Sequence, residues 1–185
     1  MAALVLLAFA ARGSHGSPPG AGVEPEELWI LVDTGALTLS VMRGATPVAI
    51  HENISIGSNG ATLDKRQGDE KTPLGEFRIN EIRSSKRFHL FLSLDYPTMA
   101  QADRALSLAY LSRADFNALR DAWSKGAPPP QDTLLGGHLG IHGLGSGSLE
   151  VHQRFNWTNG CIALTNEQVM QLAEVARIGT RVQIR

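Results

Sequence analysis

Short apolar runs separated by turn residues dominate the first half of the chain. Leu28–Val32, Leu37–Met42 and Val48–Ile56 read as successive antiparallel strands, with the glycine-containing turns "DTGA" and "RGAT" between them. "GEFRINEI" and "RFHLFLSL" are rich in β-branched and aromatic residues and predict two more strands. Before them, "GSNGATLDKRQGDEKTPLG" is polar, with four glycines and a proline. A connection that long inside a compact domain is commonly functional.

From Met99 to Trp123 the period changes. Leu106, Ala109, Tyr110, Phe116, Leu119 and Trp123 recur mostly at three- and four-residue steps, which predicts helical structure ended by "GAPPP". "HLGIHGLG" reads as a short strand running into a glycine-rich turn. Thr165 and Gln168 form a Thr-x-x-Gln capping box for a helix from about Glu167 to Arg177. "GTRVQIR" then predicts a strand. The pattern as a whole predicts a mainly β (α+β) domain with helices inserted late, and no internal repeat.

The N-terminal stretch "MAALVLLAFAARG" has a different character. Its run of about ten apolar residues is too short to span a bilayer as a helix. It has the length of a signal-peptide core, with Ala8–Phe9–Ala10 as an A-x-A-like cleavage site, although positive residues before the core are missing. We expect a signal-peptide-like segment over 1–13, either cleaved or retained as a weak membrane anchor. A flexible Gly/Pro/Ser-rich linker over 14–27 and a folded domain over 28–185 follow.

Composition narrows the chemistry. Net charge is −1, so no basic field is available for nucleic acid. A single cysteine, Cys161 in "RFNWTNGCIALTN", allows no internal disulfide and no Cys-rich zinc knuckle. Nothing in the pattern sets an oligomeric state. A catalytic cysteine needs a lowered thiol pKa, a base in reach and donors for the oxyanion. Cys161 precedes the predicted helix, although the distance to the cap makes help from its dipole modest. His142 ends an apolar strand and is followed by Gly143, and Gly160 lets backbone amides approach a developing charge. A coupled Cys161–His142 pair would titrate with an apparent thiol pKa below that of free cysteine.

Other residues carry alternatives. His138, His142, His152 and Cys161 fall in a short span, which invites a zinc site, but the spacings match no familiar zinc motif. No metal or cofactor is expected. A strand would put positions 138, 140 and 142 on one face, lining a cleft with His138 and His142. Trp157 reads as a cleft wall. The charged Asp64–Lys71 loop is either a solvated face or a substrate rim.

"GDEKTPLGEF", "IHG" and "TNGCIAL", in that order, resemble the YkuD-type L,D-transpeptidase domain of bacterial cell-wall enzymes. Gly68, Thr72, Pro73, Gly75 and Phe77 match that family's G-x-x-x-T-P-x-G-x-[FY] signature. His142–Gly143 match its His-Gly, and Thr158, Gly160 and Cys161 match its [ST]-x-G-C. The opening "ILVDTGALTLSVMRG" is similar to its first hairpin, so the resemblance runs from about Leu28 to Arg185. It implies a YkuD-like β-sandwich or barrel of mixed strands, with helices before and after the Cys-bearing loop. It also implies an exported protein of the bacterial periplasm or cell envelope that acts on peptidoglycan stem peptides.

In that reading Cys161 is the nucleophile on the amide before the terminal D-alanine, and His142 is its base. A thioester forms and passes to an amine acceptor or to water. Backbone amides of Gly160 and Cys161 would bind the oxyanion, supported by Asn159 and Gly143, while His138, Arg154, Trp157 and Thr158 would contact substrate. Arg154 suits a stem-peptide carboxylate. The chain departs from the common pattern at Asn159 and Ala163, where the family has His and Arg or Asn. Asn159 can still donate a hydrogen bond but cannot titrate. This form is similar to the divergent YafK-like branch. Two alternatives share the fold: a hydrolytic relative that trims stems or releases a wall-linked protein, and a catalytically silent wall-binding module.

Overall fold

Three strands built from the first apolar runs start the domain, seen in a computed structural model that describes residues 27–185. β1 (Leu28–Asp33), β2 (Thr38–Arg43) and β3 (Thr46–Glu52) form an antiparallel meander. The apolar segment expected over 1–13 and the linker up to residue 26 lie outside the described residues. Glu27, expected to close the linker, already belongs to the domain. Its carbonyl accepts the Gly44 N–H at 2.9 Å and its carboxylate pairs with Arg181 at 3.3 Å.

The expected Val48–Ile56 strand divides at Asn53, whose φ of 57° breaks the extended backbone. Beyond it lies the polar connection, which contains the short parallel pair β4 (Ala61–Thr62) and β5 (Thr72–Pro73). Thr72 anchors that connection, its hydroxyl accepting the Gly57 N–H at 2.9 Å. β6 (Gly75–Ser85) and β7 (His89–Leu94) form the next hairpin. The helical pattern over 99–123 becomes two helices, α1 (Met99–Ser107) and α2 (Arg113–Ser124). They separate because Ala109 is left-handed (φ 59°) and Ser112 caps α2, accepting the Asp115 N–H at 3.0 Å.

β8 (Gly140–Gly143), α3 (Leu149–Arg154), β9 (Ile162–Leu164), α4 (Asn166–Val175) and β10 (Arg181–Ile184) complete the chain. The capping box of α4 is present: the Thr165 hydroxyl accepts the Gln168 N–H at 3.2 Å, and the Gln168 carboxamide accepts the Thr165 N–H at 2.9 Å. The main sheet runs β3-β2-β1-β10-β6-β7-β8-β9 and is mixed, with β1–β10 and β8–β9 parallel.

Its two ends meet. Past Asn53 the chain leaves β2 and pairs with the far edge, Ser55 exchanging two backbone hydrogen bonds with Ala163 at 2.9 and 2.7 Å. This barrel-like closure removes the outer edge of β9 and encloses Ile30, Val32, Phe77, Leu92, Ile141 and Leu164. α4 covers it through the buried Val169 and Leu172. The fold is the mainly β, mixed-strand architecture expected from the sequence.

Candidate active site

Strand register brings the two leading residues together. β8 and β9 lie side by side in parallel with His142 opposite Ala163. Carried back along the same register, Cys161 falls beside Gly140, so Cys161 and His142 are diagonal neighbours on adjacent strands. The turn before β9 is held by Thr158, which is buried. Its hydroxyl donates to the Cys161 carbonyl at 2.6 Å and accepts the Gly160 N–H at 3.1 Å. Gly160 has φ 129°, and a Cβ there would stand 2.7 Å from the Lys71 carbonyl oxygen. Only glycine fits. The Gly160 amide, expected to serve an oxyanion, is thus committed to Thr158, because the turn needs that hydrogen bond to close.

Cys161 is half-buried and packs against the core. Its S–H donates to the His138 carbonyl at 3.7 Å rather than to His142. Burial pushes the thiol up to about 11, against the opposing pull of the Gly140 N–H and the Lys65 charge. The depressed pKa expected for a coupled pair is therefore not found: desolvation disfavours the thiolate more than these two groups favour it.

His142 is 2% exposed and set among rings. Phe88 lies 4.0 Å away between centroids, Phe91 stacks at 5.8 Å, and Trp157 meets it edge-on at 5.8 Å. Its Nδ1 is 2.8 Å from the Gly143 carbonyl, which can only accept, so Nδ1 carries the proton and Nε2 the lone pair. Burial lowers its pKa to about 4, with Arg87 and His152 adding to the effect and the Gly143 carbonyl opposing it. At neutral pH the pair is an uncharged thiol and an uncharged imidazole. The Gly143 carbonyl holds the imidazole through that hydrogen bond, and a Cβ on Gly143 would stand 2.7 Å from the Phe88 carbonyl oxygen.

Two clefts flank these groups. A pocket of about 260 Å³ is lined by Lys65, Glu70, His138, Leu139 and Asn159 among others. On the imidazole side, a pocket of about 330 Å³ is lined by Arg87, Phe88, Leu144, Val151 and Trp157 among others. His138 does not share the β8 face as expected. It lies before the strand with φ 56°, exposed, and also borders a larger cavity of about 630 Å³. Asn159 is exposed on the rim of the smaller cleft.

Arg154 is not brought to the thiol. It sits on the exposed side of α3, paired with Glu150 at 3.0 Å, and lines a separate pocket of about 110 Å³. The i,i+4 spacing on that helix satisfies it locally. Among the described residues no group of three or more His, Cys, Asp or Glu converges as a metal cage.

Sequence reasoning missed Lys65. It is 4% exposed, donates to the Arg66 carbonyl at 2.9 Å and pairs with Asp69. Burial alone would raise the Asp69 pKa, yet Lys65 and the N–H groups of Arg66 (2.7 Å) and Lys71 (2.9 Å) bring it below the ordinary value. Arg104 pairs with Asp64 at 2.6 Å, and Arg66 lies 4.3 Å over the Tyr110 ring. The charged Asp64–Lys71 loop is thus an ordered rim with one cation turned inward. Its sequence signal was Lys-x-x-x-Asp around the left-handed Gly68 (φ 76°).

The arrangement can deliver a thiol to a carbonyl in a cleft, with a neutral base nearby to take its proton. Comparison with known proteins agrees in kind. The family model described as the L,D-transpeptidase catalytic domain, YkuD, matches residues 27–184. No curated protein matches the chain. Among solved structures, it is similar to the helical cell shape determining protein Pgp2 from Campylobacter jejuni, at 20% identity and TM-score 0.56, covering 86% of this chain and 47% of that one. Bdellovibrio bacteriovorus Bd1075 is similar at 18% identity and TM-score 0.55, covering 86% and 48%. The L,D-transpeptidase (residues 123–326) from Xylanimonas cellulosilytica is similar at 14% identity and TM-score 0.52, covering 88% and 62%. At these identities the likeness is one of fold, and the chain spans less than two thirds of each of these structures.

Proposed function

The chain belongs to the YkuD family of L,D-transpeptidase catalytic domains, and from that premise we propose that it is an exported cell-envelope enzyme that acylates Cys161 with a peptidoglycan stem peptide. The observation that carries this reading is the parallel β8–β9 register, which sets Cys161 diagonally from His142, with the chain neighbours His138, Leu139 and Asn159 lining a cleft.

The resting pair is neutral, so attack and proton transfer are coupled. As Cys161 Sγ bonds to the carbonyl carbon before the terminal D-alanine, His142 Nε2 takes the thiol proton. The carbonyl π electrons move to oxygen and form an oxyanion. With the Gly160 amide engaged, the Cys161 N–H and the exposed Asn159 carboxamide are the nearby donors for that charge. The C–N bond then breaks, the imidazolium returns its proton to the departing D-alanine amine, and a thioester remains. An amine acceptor attacks the thioester with His142 again as base, giving a new amide and the free thiol. Lys65, inside the wall of the 260 Å³ pocket, favours the negative charge that develops on sulfur.

Purified sacculi incubated with the protein test the reaction. New 3→3 cross-links, absent with Cys161→Ala, are the expected result. Shortened stems or released protein would instead identify the hydrolytic relative, since water and amine compete for the same thioester. A thiol that stays unmodified by a carbapenem, whose strained amide a nucleophilic cysteine opens, would reduce the protein to a silent wall-binding module.

A further inference from the structure

One buried titratable group has no part in the chemistry above. His152, on α3, is 3% exposed. Its Nδ1 lies 3.2 Å from Trp157 Nε1. An indole N–H can only donate, so this Nδ1 must present a lone pair and the single imidazole proton sits on Nε2. Nε2 is buried and makes no hydrogen bond of ordinary geometry, the Asn53 carbonyl drawing on the ring only weakly. An unpartnered buried donor is costly, and such groups call for an explanation. The bond it leaves on the other nitrogen supplies one.

Trp157 links His152 to the site. Its backbone N–H donates to the Ser55 hydroxyl at 3.1 Å, fixing its base on the strand that closes the barrel. Its ring lies edge-on to His152 at 6.3 Å on one side and to His142 at 5.8 Å on the other. The same ring walls the 330 Å³ pocket. Around one backbone anchor, the only hydrogen bond on the indole among the described residues is the one to His152.

We propose that His152 is a positioning residue for acyl transfer: in its neutral form it holds Trp157 edge-on against His142, and on protonation it releases the indole. The protonated ring would present Nδ1–H to the indole N–H, donor against donor, so the bond cannot survive. This inference rests on the reading of His142 as the base. The groups around His152 offer the imidazolium no counter-ion. Glu150 and Arg154 on its own helix are exposed and paired with each other. Leu37, Asn53, Ile54 and Asn156 face it from neighbouring segments without a charge. Beyond Trp157 stand the neutral His142 and the cationic Arg87, and neither is a counter-ion for an imidazolium. Burial holds its pKa below 6.5, against a smaller pull from the Asn53 carbonyl.

The test follows the indole N–H resonances of the ¹⁵N-tryptophan-labelled full chain between pH 8 and 4.5, with Trp157→Phe to assign the relevant peak. The Trp157 resonance should move with one inflection below pH 6.5 and become flat in His152→Gln, whose carboxamide oxygen accepts the same bond but does not titrate. The rate of Cys161 acylation by a carbapenem is then measured over the same range. His152→Leu should lower it roughly tenfold at pH 7.5, and His152→Gln should restore most of that loss without the matching acid inflection. A Trp157 resonance that does not titrate, or that titrates unchanged in His152→Gln, overturns the proposal. If His142→Ala leaves acylation intact while the indole still titrates, the base assignment fails and the His152–Trp157 coupling stands.

Discussion

Cys161 and His142 are neighbours kept from water by different materials. Around the thiol the enclosure is backbone and an ion pair: Gly160 against the Lys71 carbonyl, Thr158 bridging the turn, Lys65 against Asp69. Around the imidazole it is three aromatic rings. Both enclosures favour the uncharged form, so the pair rests neutral, and in the proposed reaction it makes its charges only when a carbonyl arrives. The two walls also fail differently. A polar frame closed by backbone tolerates no added atom, whereas a ring cage tolerates no lost one.

The hardest blow to the pairing is His142→Ala. Acylation of Cys161 by a carbapenem, followed by mass spectrometry, should slow by about 10²–10⁴-fold. A change within twofold would detach the imidazole from the reaction.

Stability against pH separates the walls next. His142 is held near 4, below its ordinary 6.5, so the unfolded chain binds the proton first as pH falls. Its contribution is complete above pH 6.5 and is lost on the way to pH 4, by about 3 kcal/mol. Cys161 is held near 11, above its ordinary 9.0, so the unfolded chain releases the proton first as pH rises. That contribution is complete below pH 9 and is lost towards pH 11, by roughly 3 kcal/mol. In urea denaturation, His142→Phe should shallow only the acid limb and Cys161→Ala only the alkaline one. One variant moving both limbs would show the walls to be a single unit.

Alkylation reads the thiol wall alone. Iodoacetamide should react with an inflection near pH 11, and at pH 7.5 about 100-fold more slowly than with a free thiol. An inflection below 9 would mean a resting thiolate. The smallest effect belongs to Gly160→Ala, which should cost about 2 kcal/mol of stability and leave the aromatic packing of His142, followed by its imidazole resonances, unchanged.

Local signals were the legible ones. The Thr165–Gln168 capping box lies within one turn, and α4 begins where it predicts. The hairpins over 28–52 and 75–94 are set by alternation and turns, which are also local. β9 is three residues long and exists by pairing with β8 and Ser55, far away in sequence, so no run of residues could announce it. Lys65 turns inward because Asp69 and the backbone of residues 66–71 hold it there, and Gly160 leaves room beside it. A charged loop read alone does not reveal that. The thiol pKa went the other way from expectation for the same reason. Sequence shows a nearby helix start and a histidine, but not how far the folded chain desolvates the half-buried sulfur.

β10 lies inside the sheet, parallel to β1 on one side and antiparallel to β6 on the other. Ile30 meets Val182 and Val32 meets Ile184, pairs drawn from distant parts of the chain. Contacts of such long sequence separation form late and slowly. Until they and the Ser55–Ala163 pair form, the half of the sheet carrying β1–β3 has no seam to the half carrying the cysteine, and in the unfolded chain the thiol stands in solvent at its ordinary acidity. Its vulnerability to oxidants is therefore greatest while the protein is being made and least once the seam is closed.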